Sequence, residues 1–192
     1  MTIREVAYLD ESEPSRERHL GAYILGAAIV PVEQQTSARE SMAALKPRSL
    51  SKAHWHQQPN PRERLQLVRA VAAMPGSQLA VVRLGAPDLR PERRRRLCLE
   101  RMAYELAQLG VQDAVIESRG PADDARDRAM LQALRQRHTL VRPLRFEHTA
   151  GPAEPLLWTP DVICGVVNEF RAGNPEYLSL LPALRTVLVD DR

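Results

Sequence analysis

A four-residue apolar run, Val6-Ala7-Tyr8-Leu9, stops at a carboxylate, Asp10. A run that is apolar without alternation is the pattern of a strand covered on both faces. A chain built on such a strand has to supply helices to both sides of a sheet. The rest of the sequence has the parts to do so. A polar turn, Glu11-Ser12-Glu13-Pro14, leads into a second apolar stretch between His19 and Pro31. The short connection predicts an antiparallel hairpin. Residues 32–45 read as a helix. Residues 61–74 read as another, with Asn60 as N-cap, Pro61 at its first position and Pro75-Gly76 as its stop. Beyond it, strands at 79–84, 111–117 and 140–146 alternate with helices at 91–109, 123–138 and 154–170. Gly110 closes the first of these helices. That alternation implies right-handed crossovers and parallel pairing. The expected class is α/β: a mixed sheet covered by helices, one domain over 1–192, with 32–76 as a helical insertion after the second strand.

Composition narrows the function classes. The 192 residues, 44% hydrophobic, suffice for a core without metal or disulfide support. Cys98 and Cys164 lie in separate helical patterns without CxxC or His spacing, which disfavours zinc and predicts buried free thiols. No apolar run is long enough to span a membrane. The segment MTIREVAYLDESE carries acids where a signal peptide needs an apolar core, so the expected location is cytoplasmic. Arginine outnumbers lysine 25 to 2, yet the net charge is only +3. Residues 119–146 hold seven Arg against three Asp, and residues 147–192 hold three Arg against seven acids, so the small total is a cancellation.

Three carboxylates occupy special positions. Asp10 ends the first strand, Glu117 ends a strand able to pair beside it, and Asp161 lies in the first turns of the last helix. In an open α/β sheet, ligands collect beyond the carboxyl ends of the strands. Carboxylates gathered there repel one another unless a cation neutralises them. Mg²⁺ (or Mn²⁺) suits such a set and leaves positions for water and phosphate oxygens. Taken singly, each has a structural explanation. Asp10 can start the turn, Glu117 can pair with Arg119, and Thr159-Pro160-Asp161 can be the N-cap and first two residues of a helix. Their joint placement is the argument for a site. Arg119 is a candidate phosphate or nucleic-acid contact, and Asp124 and Asp127 are weaker candidate ligands. The run Arg93-Arg94-Arg95-Arg96 fans around a helix instead of forming a stripe, and reads as a solvated helix start. Trp55 and Trp158 read as core or interface residues.

The segments Tyr8-Leu9-Asp10-Glu11-Ser12, Val115-Ile116-Glu117-Ser118-Arg119 and Glu154-Pro155-Leu156-Leu157-Trp158-Thr159-Pro160-Asp161 together resemble the family known as domain of unknown function 3800 (DUF3800). That family is placed in the ribonuclease H-like (retroviral integrase) superfamily. The resemblance spans nearly the whole chain, with one departure: Glu13-Pro14 stands where the family often has Gly. It implies a five-stranded sheet in the order 3-2-1-4-5 with Asp10, Glu117 and Asp161 on the metal-binding positions. It further implies that Lys52 and His54 stand at a Lys or His motif. His54 and His56 then alternate to one strand face, with Lys52 a candidate nucleic-acid contact. His148, on the loop before the last helix, falls where superfamily nucleases carry a mobile His for proton transfer or product release.

The function expected from these residues and that resemblance is a divalent-metal-dependent phosphodiesterase or nuclease acting on DNA or RNA. Two other functions remain open: a non-catalytic nucleic-acid-binding or protein-interaction module retaining the fold, and an enzyme acting on a small phosphorylated molecule. A homodimer is a further possibility.

Overall fold

The computed structural model describes residues 3–12, 22–58, 60–84, 90–137 and 144–189. Among the described residues six strands form one mixed sheet: β1 (Glu5–Ser12), β2 (Tyr23–Pro31), β3 (Ser77–Arg83), β4 (Asp113–Glu117), β5 (Arg145–Thr149) and β6 (Leu184–Val189). Their spatial order is β5-β4-β1-β2-β3-β6. The expected order 3-2-1-4-5 is contained in it, with β6 added in parallel beside β3. β1 and β2 pair antiparallel, β2 and β3 antiparallel, and β1, β4 and β5 run parallel. The hairpin residues 13–21 and the expected strand residues 140–143 lie outside the described residues.

The described residues include five α-helices that cover the sheet: α1 (Gln35–Ala44), α2 (Pro61–Ala73), α3 (Pro91–Gln108), α4 (Pro121–Gln136) and α5 (Trp158–Arg171). α1 and α2 both lie between β2 and β3 in the chain. Asn60 caps α2 through a bond from the Arg62 amide, 2.9 Å, and Gly110 follows α3 with φ at 83°. Alternation along β1 and β2 splits the core in two. Tyr8, Ile24, Ala28 and Val30 pack under α1, α2 and α5. Ala7, Leu9, Leu25, Ala27 and Ile29 pack against α3 and α4. β2 is buried along its whole length, as an apolar strand sandwiched between helix layers must be. Trp55, Trp158, Cys98 and Cys164 are all buried. Among the described residues no helix is long and apolar enough to cross a membrane.

Two local readings are corrected. The last helix, expected over 154–170, starts at Trp158 after a 3-10 turn at Pro155–Leu157 capped by the Glu154 side chain, so Asp161 is its fourth residue and Thr159 is not its N-cap. The arginine run is not a solvated start. Arg94 and Arg95 are each 3% exposed, because they lie one turn before Cys98 and Leu99 on the face that meets the sheet.

Candidate active site

Asp10 and Glu117 emerge on one face of the sheet. Their strand neighbours two residues back, Tyr8 and Val115, pack under α5, whereas Leu9 and Ile116 face α3 and α4. β1 and β4 pair in parallel with Leu9 opposite Ile116, so both carboxylates leave the same end of the sheet. α5 brings the third. Asp10 pairs across the ladder with Gly26. A Cβ built on Gly26 would lie 2.7 Å from the Pro160 carbonyl oxygen. A side chain there would push away the helix turn that carries Asp161. The Cys164 thiol, lying 3.6 Å from the Asp10 carbonyl oxygen, and Asn168 Nδ2, donating to Ser12 Oγ at 3.1 Å, hold α5 against β1.

Asp10, Glu117 and Asp161 therefore line one cleft of about 170 Å³ together with Glu11, Lys52, His54, Ser118 and Arg119. Burial pushes the Asp10 carboxyl well above the ordinary carboxylate range, and repulsion from Glu117 and Asp161 pushes it further. Lys52 and the Glu11 amide pull it back only in part. Lys52 answers this negative field. Its Nζ donates to Glu117 Oε1 and Oε2 at 2.8 and 2.9 Å. Burial alone would lower its pKa, but the bond to Glu117 and the charges of Asp10, Glu117 and Asp161 outweigh that and raise it. Asp161 Oδ2 accepts from the Trp55 amide at 2.7 Å and lies 3.1 Å from His54 Nδ1.

The segment carrying Lys52 and His54 is not a strand. Trp55–Gln57 forms a 3-10 turn, and the His54 and His56 rings meet edge-on at 5.8 Å, with only His54 lining the cleft. Glu117 pairs with Lys52, not with Arg119. Arg119 reaches Glu92 at 2.9 Å and Glu11 at 3.4 Å from the cleft rim. His148 is in β5 rather than the following loop. It shares the α4-facing side with Phe146 and lies 3.2 Å from Asp127, on the opposite face of the sheet from Glu117. Asp124 is used locally, accepting from Ser118 Oγ at 2.7 Å and the Arg119 amide at 3.2 Å.

Two residues at or beside the site are absent from the candidates read from the sequence. Gly151 backs the Glu117 carboxylate, and a Cβ there would lie 2.3 Å from Oε1. Arg95 bonds Glu11 and reaches Asp127 at 2.5 Å, joining the cleft rim to the His148 side of the sheet. Helical phase with Cys98 and Leu99 would have found Arg95.

The donor set is all hard oxygen, which matches Mg²⁺ or Mn²⁺. Among the described residues no group of three or more His, Cys, Asp or Glu side chains is arranged to hold a metal ion. Asp10 and Asp161 suit a divalent ion by their chemistry, while Glu117 is held by Lys52.

No protein-family model matches the chain, and no curated protein does. Solved structures do. Ribonuclease H2 from Pyrococcus horikoshii OT3 aligns over 88% of this chain and 74% of its own, at 13% identity and TM-score 0.56. The ribonuclease HII of Archaeoglobus fulgidus, solved in complex with PCNA, aligns over 88% and 74%, at 16% identity and TM-score 0.55. Bst-RNase HIII aligns over 88% and 53%, at 15% identity and TM-score 0.57. The chain thus has a ribonuclease H-like fold, as expected, with a sixth strand beyond the expected five.

Proposed function

We propose that the chain is a divalent-metal-dependent phosphodiesterase, a nuclease of ribonuclease H-like fold, formed as one domain with 32–76 inserted. The likeness to DUF3800 proteins is consistent with this. The observation that carries it is the convergence of Asp10, Glu117 and Asp161, from three separate elements, on one cleft at the strand ends. Asp10 and Asp161 would hold Mg²⁺ or Mn²⁺. A bound ion of this kind supplies an activated water and neutralises charge on the leaving oxygen. Asp161 is oriented for that role by the Trp55 amide, and His54 beside it is the group in the cleft able to carry a proton. Arg119 on the rim can take a backbone phosphate of DNA or RNA in place of Glu92. His148, on the far face of the sheet, is left out of this assignment.

Cleavage assays on labelled DNA, RNA and hybrid duplexes in Mg²⁺, Mn²⁺ and EDTA test the proposal. Cleavage should require the metal and vanish in Asp10→Asn and Asp161→Asn. Cleavage that survives both substitutions rejects it. A second reading, a binding module without cleavage, is favoured by the commitment of Glu117 to Lys52. Its mark is salt-dependent nucleic-acid binding that persists in EDTA.

A further inference from the structure

We propose that Lys52 is the resident second cation of this cleft, so that the site takes a single divalent ion on its Asp10–Asp161 side and none at Glu117. The inference rests on the metal-dependent reading above and specifies its stoichiometry.

A two-ion phosphodiesterase site holds its metals about 3.5–4 Å apart with carboxylates shared between them. Here both Glu117 oxygens face one ammonium, at 2.8 and 2.9 Å, a two-point engagement of the kind a metal ion would otherwise make. Lys52 is not a surface lysine that happens to lie nearby. Its side chain is 18% exposed, and the backbone beyond it is fixed by fully buried Ala53 and by Trp55, whose amide donates to Asp161. Trp55 is itself clamped by the Tyr177 ring at 5.3 Å and the Arg64 guanidinium at 4.9 Å. Glu117 is fixed from the other side by Gly151, whose backbone leaves no space behind the carboxylate. The same segment thus delivers one positive charge to Glu117 and one amide to Asp161. Of the three carboxylates, Glu117 alone is hydrogen-bonded to the ammonium, while Asp10 feels its charge without a bond to it. A fixed ammonium can stabilise charge on a phosphate oxygen as a second metal would, without being removed by chelators.

Titration of the purified protein with Mn²⁺ alone, followed by calorimetry and electron paramagnetic resonance, tests this without any substrate. The wild-type chain should bind one Mn²⁺, and Lys52→Arg should do the same. Lys52→Met, which keeps the length and removes the charge, should bind two and show the exchange-coupled spectrum of neighbouring ions. Circular dichroism of each variant checks that it is folded. One ion in both the wild type and folded Lys52→Met overturns the inference while leaving the metal site intact. No ion in either chain overturns the metal-dependent reading and this inference with it.

Discussion

Gly151 stands directly behind the Glu117 carboxylate: a Cβ at 151 would lie 2.3 Å from Oε1, 2.6 Å from Cδ and 2.8 Å from Oε2. The loop cannot retreat, because the Gly151 carbonyl accepts from buried Trp158 Nε1 at 2.8 Å. The carboxylate must yield instead and leave Lys52. Gly151→Ala should therefore destabilise the fold by about 1–3 kcal/mol, the usual range for overpacking. It should also impair metal-dependent cleavage beyond what the loss of folded protein explains. Urea unfolding and cleavage rates matching the wild type would show that the loop, not Glu117, gives way.

Asp10 places a charge where burial and two neighbouring carboxylates oppose it. In EDTA, Asp10→Asn should raise stability at pH 8 by about 1–2 kcal/mol, since the amide keeps the acceptor for the Glu11 N–H without the charge. The pH dependence has a fixed sign. The native carboxyl takes up its proton at a higher pH than the unfolded one. The wild type therefore gains stability relative to the variant as pH falls through the raised native pKa, and the gain ends near the unfolded value of about 3.9. Unfolding curves of both proteins from pH 8 to pH 4 should converge. A difference that stays constant across that range would contradict the raised pKa.

What the sequence made legible was set by local period. Val6-Ala7-Tyr8-Leu9 and the buried β2 read as central strands because both faces of each are apolar, and Asp10 then falls at a strand end by simple counting. β6 escaped because an edge strand buries little: of its six residues only Val187 is buried. β5 was displaced for a similar reason. Its segment Arg-Phe-Glu-His-Thr is mostly polar, and the more apolar stretch before it drew the assignment. The arginines at the head of α3 looked solvated by composition alone, although their phase against Cys98 and Leu99 contradicts it. The Lys52–Glu117 pair had no local signature at all. Its partners are 65 residues apart, and the chain between α1 and α2 brings Lys52 to the end of β4 only in the folded protein.

Arg95 is buried between Glu11 and Asp127, with Tyr23 donating to Glu11 at 2.6 Å. Removing its charge would leave buried Asp127 and half-buried Glu11 without their shared guanidinium, with only Arg119 at 3.4 Å beside Glu11 and His148 at 3.2 Å beside Asp127 among the described residues, a loss of about 3–5 kcal/mol. Arg95→Met should cost that much at neutral pH, while Arg96→Ala on the exposed face should cost under about 0.5 kcal/mol. Burial already raises the Glu11 pKa against the pull of Arg95, so without the guanidinium it should rise further. The penalty is therefore greatest where Glu11 is ionised and shrinks as pH falls and Glu11 takes up its proton. Denaturant unfolding at pH 7.5 and pH 4.5 measures both effects, and equal penalties for the two arginines would reject the network.

Gly165 in α5 faces Trp55 so closely that a Cβ would lie 2.3 Å from the indole ring. Alanine is the better helix former by about 1 kcal/mol, so an exposed glycine at this position would be improved by the change. Here the contact should win. The indole has the Tyr177 ring against one side and Arg64 over its face, and it cannot move without shifting the amide that donates to Asp161. Gly165→Ala is expected to lower stability by about 1–3 kcal/mol despite the propensity gain. Trp55→Leu alone should cost more, because it empties a fully buried site. In the double variant the alanine no longer meets the ring. The two losses should then fall short of additive, by a coupling of about 0.5–3 kcal/mol. Strict additivity in that cycle would mean that α5 and the segment between α1 and α2 are not pressed together at Trp55, and that Asp161 is positioned by its own helix alone.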